Sequence, residues 1–194
     1  MWGGRLVSDQ TLFNRIAKTR AFLGRYLPVR TKASTTVRLD PGVGTDLAVL
    51  QNSLAELATQ SAGKAIKNLS EALDLIRGVP FDGSDFEWAH EHQFVADARE
   101  TIEGATLQVA WLALELGEPA AAREAMTQGL RALPGNEPIY CARKEIEHAL
   151  GNGDGVNNAL RELTCVFAGA VDDGFACDPS PETFATHSRL MAPG

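Results

Sequence analysis

Leu116-Gly117 is followed 34 residues later by Leu150-Gly151, and at the same offset Ala125 matches Ala159, Met126 matches Leu160 and Leu133 matches Phe167. A fixed offset of this length marks stacked helix pairs. Each pair leaves an apolar side uncovered until a neighbour is laid against it, so consecutive pairs come to share one core. Leu133-Pro134-Gly135-Asn136 falls where such a pair ends, since proline and glycine both interrupt a helix. Two copies are few, and the helices upstream must supply the rest of the stack.

Thirty-four residues is the tetratricopeptide period, and the upstream pattern agrees with it. From Thr45 onward, Leu47, Leu50, Leu54 and Leu57 recur three and four apart, behind Thr45 or Asp46 as a cap. Gly63 is expected to separate this helix from a second one carrying Ile66, Leu69, Leu73 and Ile76. Arg77 to Phe86 (RGVPFDGSDF) reads as a turn, and one long helix is expected from about Phe86 to Leu116. Gly169 to Pro179 reads as loop. Ser180-Pro181-Glu182 then supplies an N-cap, a proline for the first turn and an early acid for a last short helix.

The head of the chain differs from this body. Met1 to Leu39 carries a formal +7 and Asp40 to Gly194 a formal −14, which together give the net −7. A basic head can meet a polyanion such as nucleic acid, whereas the acidic remainder cannot be the surface that does so. Ser8 to Gly24 reads as an amphipathic helix with Leu12, Phe13, Ile16 and Leu23 inward. Thr11, Asn14, Arg15 and Lys18 share another side, and such side chains reach base edges and phosphates from a helix in the major groove. Thr35, Val37 and Leu39 alternate with Thr36 and Arg38, as in a short strand, with Arg30 and Lys32 in the loop or hairpin before it. A basic helix followed by a basic hairpin is the arrangement of a winged helix.

Other chemistries find little support. Glu87, His90, Glu91 and His92 crowd one segment, but histidines two apart do not share a helix face and H-E-x-x-H is absent. Asn152 to Asn157 resembles a calcium loop only until Val156 and Leu163 take ligand positions, so it reads as a turn. Gly42-Val43-Gly44 lacks the lysine of a phosphate loop, and neither a nucleophile motif nor a C-x-x-C occurs. Cys141 and Cys165 fall in apolar helical stretches and are expected to be inert buried thiols, while Trp111 with Leu107, Leu112 and Leu114 reads as core. No apolar run approaches the roughly 18 residues of a membrane span. An odd cysteine count of 3 suits a reducing, cytoplasmic setting. No enzyme, cofactor or metal is expected.

The succession VSDQTLFNRIAKTRAFLG, TVRLDPGVGTDL, IRGVPFDGSDFEWA, ALELGEPAAAREAMTQGLRALPGNEPIY and DPSPETFATHSRLM resembles actinobacterial regulators with a bacterial transcriptional activator domain. The most specific parts are Arg77 to Ala89 and Asp178 to Thr183. The resemblance implies a mainly α protein, with a partial winged helix of one helix plus a β-hairpin over residues 1–43 and a tetratricopeptide-like activator domain over 44–194. It places Thr11, Asn14, Arg15 and Lys18 on the groove-facing side of a recognition helix, and Arg30, Lys32 and Arg38 on the wing and its flanks. Only MWGGRLV precedes the helix matched to the third helix of such domains, and 39 residues are too few for a core of their own. The chain is therefore expected to be the C-terminal piece of a longer protein or a shortened relative. Two functions stay open from sequence. One is a regulator that contacts duplex DNA and a protein such as RNA polymerase or another regulator. The other is a tetratricopeptide-like protein–protein module without autonomous DNA binding, a homodimer included, whose basic head docks on the acidic body; the resemblance implies that such a module can also be the C-terminal part of a larger membrane-anchored protein.

Overall fold

The computed structural model describes residues 42–82, 87–91, 93–169 and 178–192, together with Asn14, Ala17, Lys18 and Ala21. Helix α1 (Asp46–Ala55) begins at Thr45, whose extended backbone turns its Oγ1 to accept from the Ala48 N–H at 3.1 Å. It buries Leu50 completely. A 3-10 turn over Leu57–Thr59 and the extended Ser61 then separate it from α2 (Ala62–Leu73). The separator is thus not Gly63, which lies inside α2 with open space around it. Ala65, Ile66, Leu69, Ala72 and Leu73 form the buried stripe of α2, at the spacing of one helical face.

The single helix expected from Phe86 to Leu116 is two. Helix α3 (Glu87–Glu91) and α4 (Phe94–Glu115) are divided at Gln93, whose φ of 63° is left-handed. That conformation costs a side-chain-bearing residue about 1–2 kcal/mol, and hydrophobic periodicity carries no trace of it. Helix α4 packs on α5 (Pro119–Ala132), which is followed by α6 (Glu137–Ala149), α7 (Gly153–Gly169) and α8 (Pro181–Met191). α4 with α5, and α6 with α7, form the two tightest helix pairs, while α8 lies against α6 and α7.

The 34-residue offset has a structural counterpart at the helix ends. Gly117 and Gly151 have φ of 74° and 70°, which a residue without Cβ adopts at little cost. After each glycine the chain closes the same reverse bond, Glu118 N–H to Ala113 O and Asn152 N–H to Glu147 O, both 2.8 Å. Ala125 and Ala159 are both buried. A main core joins Leu50, Leu69, Leu73, Val109, Met126, Leu133, Ile139 and Ile146. A smaller cluster of Tyr140, Ala159 and Leu163 carries the stack toward the last helices. Trp111, Leu107, Leu112 and Leu114 pack against the main core as expected. No strand occurs among the described residues. The expected β-hairpin of the partial winged helix falls outside them, as does Cys177.

Candidate functional site

Of the seven residues expected to contact DNA, Asn14 and Lys18 are described; both are helical and exposed, one turn apart. Thr11, Arg15, Arg30, Lys32 and Arg38 lie outside the described residues. The body offers two further features, a cavity beside the Arg77–Asp82 loop and a polar lock beneath α8.

The cavity, about 420 Å³, lies between the start of α1, the loop after α2 and the first half of α4. Leu47, Ile76, Val79, Phe81, Ala98 and Ile102 give it apolar walls, and Asp46, Arg77 and Asp82 are its charged members. Phe81 has a φ of 56°, so the loop holds a bulky residue in a backbone region usually left to glycine. The R-G-V-P-F stretch therefore builds one wall of a concave surface, where the sequence showed only a turn.

The second feature explains the D-P-S-P-E-T segment. Ser180 caps α8, and Pro181 stands in the first turn, where its missing N–H costs nothing. Glu137 of α6 accepts from the Ser180 N–H at 2.8 Å, from Ser180 Oγ at 2.6 Å and from Thr183 Oγ1. Lys144, fully buried, donates from Nζ to the Thr183 carbonyl at 2.7 Å. The Cys141 thiol lies 3.5 Å from Thr183 Oγ1. Helix α8 buries only Thr183 and Leu190 of its own residues, so polar contacts carry much of its attachment. Sequence reasoning found the cap but missed its partners. The trace of Lys144 was its place four residues after Tyr140 and three before Glu147, all on the buried side of α6.

A third polar group links α5 to the α6–α7 turn. Arg123 holds Glu147 in a two-pronged pair at 2.7 and 2.8 Å, and Asn152 Nδ2 donates to the same carboxylate at 2.7 Å. Asn152 Oδ1 in turn accepts from the Gly155 N–H at 3.1 Å, opening α7. Of the span expected to be a turn, Asn152 is this cap, whereas Gly153 to Asn157 already belong to α7, with Asp154 in its first turn. Among the described residues no three His, Cys, Asp or Glu side chains converge as for a metal. Cys141 is half-buried, but Cys165 is exposed, contrary to expectation. The buried stripe of α7 is Val156, Ala159 and Leu163, and Cys165 falls off it.

These groups set an acid dependence. The Arg123 hydrogen bond holds Glu147 below the ordinary carboxylate value of 4.5. Burial pushes Glu137 upward, but the donations from Ser180 and Thr183 and the nearby Lys144 charge outweigh it and leave it low. Burial, then Lys144, lowers His187 from 6.5. Each group has a lower pKa folded than unfolded, so the unfolded chain binds more protons on acidification and stability falls. The melting temperature is expected to decline from about pH 6.5 downward and to fall fastest below 4.5. A flat profile through the carboxylate range in calorimetry would contradict this, and Glu147→Gln is expected to flatten part of the slope.

The family model described as bacterial transcriptional activator domain matches residues 45–191, from the cap of α1 to the last residue of α8. The chain belongs to the bacterial transcriptional activator domain family. Both the cavity and the polar lock lie inside the activator domain, whose first matched residue is the Thr45 cap. No curated protein and no solved structure matches the chain. The activator domain is mainly helical, and among the described residues no helix is long and apolar enough to cross a membrane.

Proposed function

We propose that this chain is a transcription regulator, or the C-terminal piece of one, of the actinobacterial type. Residues 1–43 form the DNA-contacting part of a winged helix, and residues 44–194 form a tetratricopeptide-like activator domain that binds a protein in the cytoplasm. The observation that carries the reading is the joining of two blocks. A segment of formal charge +7 ends at Leu39, and six residues later an activator domain of a transcriptional family begins. In this reading Arg15, Lys18, Arg30, Lys32 and Arg38 take phosphates, and Thr11, Asn14 and Arg15 face the groove. The exposed, same-side placement of Asn14 and Lys18 supports it. The helical stack presents its surface to RNA polymerase or another regulator.

Substitution tests the cation assignment. Removing one cation from a phosphate is expected to shallow the slope of log K against log salt by about one. The Arg15→Ala/Lys18→Ala variant should therefore bind mixed-sequence duplex more weakly, with a slope shallower by about two. Equal slopes for variant and parent would remove Arg15 and Lys18 from the interface.

A further inference from the structure

We propose that α8 is an acid-released latch, in which protonation of the His187 imidazole beside Lys144 undocks the helix from α6 and α7. The docked ring has no place for a second proton. Its Nδ1 is buried and has no hydrogen-bond partner among the described residues. A neutral ring can leave that nitrogen as a bare acceptor. An imidazolium carries an N–H on both nitrogens, so one donor would be buried without an acceptor.

Lys144 is the second obstacle. Thr183 and His187 lie four residues apart, on one side of α8. The Thr183 carbonyl, which accepts from Lys144 Nζ at 2.7 Å, is thus one turn from the ring. Lys144 is fully buried, so salt and water screen its charge poorly. The other titratable and charged groups of α6 and α7 are engaged elsewhere or exposed. Glu137 holds Ser180 and Thr183, and Glu145 pairs with Arg189 at 2.7 Å. Arg143 pairs with Glu162, Glu147 with Arg123, and the Cys141 thiol meets Thr183 Oγ1. His148, Asp154 and Arg161 are exposed. Burial first, then the Lys144 charge, holds the ring's pKa below 6.5.

The attachment is slight enough for one proton to matter, since α8 buries only Thr183 and Leu190. The neutral ring's contribution to docking is present above pH 6.5 and is lost as pH falls through the docked value. At pH 5.5 a solvated imidazole is about ten parts protonated to one, so a ring that docking keeps neutral makes opening up to about tenfold easier. Glu137 and Glu147 stay ionised there, because their values lie below 4.5. Undocking bares the side of α6 that carries Glu137, Cys141 and Lys144. The latch needs no DNA, so its failure would leave the proposed function standing.

The test is native-state hydrogen exchange on the full chain at about pH 7.5 and about pH 5.5, with rates corrected for the chemical exchange of free amides. Amides of α8 beyond its first turn should open several-fold, up to about tenfold, more readily at the lower pH, while those of α4 and α5 stay protected. In His187→Gln, which cannot titrate, the ratio between the two conditions should fall below about two, whatever its protection at the higher pH. A second measurement needs no variant. Followed by NMR in the parent chain, the His187 ring should titrate below that of the exposed His148. Opening of α8 that is equal at both pH values, or that occurs only together with α4 and α5, would overturn the latch. So would a ratio unchanged in His187→Gln, or a His187 ring that titrates at or above His148.

Discussion

Glu137→Ala is expected to release α8 from the stack while the rest of the domain stays folded. The substitution strands the Ser180 N–H and removes the best acceptor of the Ser180 and Thr183 hydroxyls, which keep only the longer contacts to each other and to the Cys141 thiol; it also removes a carboxylate whose charge acts on Lys144. Removing one partner of a half-buried network costs more than the net worth of its bonds, because the groups left behind stay desolvated. Glu137 is itself only half-buried, so water recovers part of the loss, and a destabilisation of about 2 kcal/mol is expected. Glu137→Gln keeps an acceptor and should cost about half as much. Hydrogen exchange reads the effect locally: amides of Pro181–Met191 should lose protection before those of α4 and α5. Unchanged protection in α8 would show that Leu190 and its neighbours hold the helix without the lock.

Gly129→Ala is expected to force α4 and α5 apart. A methyl built on Gly129 would meet the Thr106 side chain, lying 2.5 Å from Cγ2 and 3.0 Å from Cβ. Thr106 is fully buried, so it has no open space to move into. Helix propensity alone would favour alanine by about 1 kcal/mol. With no room to relax, overpacking at the upper end of the usual range, about 3 kcal/mol, outweighs that gain and leaves a net loss of about 2 kcal/mol in urea unfolding. The cause is checked by a double-mutant cycle. Thr106→Ala removes the clashing atoms, so the double variant should recover at least about 1 kcal/mol relative to additivity. Additive costs would sink the close-approach explanation. The Thr106 hydroxyl has no hydrogen-bond partner among the described residues, so its removal forfeits no bond.

The contrast between these sites shows what a sequence can carry. Local chemistry was legible: the Ser180 cap and the narrowing of the first cap to Thr45 or Asp46 follow from backbone rules acting over a few residues, and the 34-residue offset marked the helix pairs, though not the glycine turns that end them. Gly129 looked like any glycine in a helix, because its role depends on Thr106 of another helix. Lys144 broke the apolar pattern of α6, but only the position of Thr183, 39 residues on, explains why it is buried. The left-handed Gln93 and Phe81 are fixed by tertiary fit and leave no mark in periodicity. Of the expected DNA-contact side, Asn14 and Lys18 stand where the helical reading put them, and the partial winged helix remains a proposal.

In the proposed function, the +7 segment of this activator-domain protein meets duplex DNA through its cations. Fluorescence anisotropy of a mixed-sequence duplex, titrated with the full chain at several salt concentrations, tests it most directly. About four to six phosphate contacts predict binding that weakens steeply, with a slope on the order of −4 to −5 in log K against log salt. Absence of binding at low salt, or binding indifferent to salt, would contradict the claim and leave the chain as a protein-interaction module.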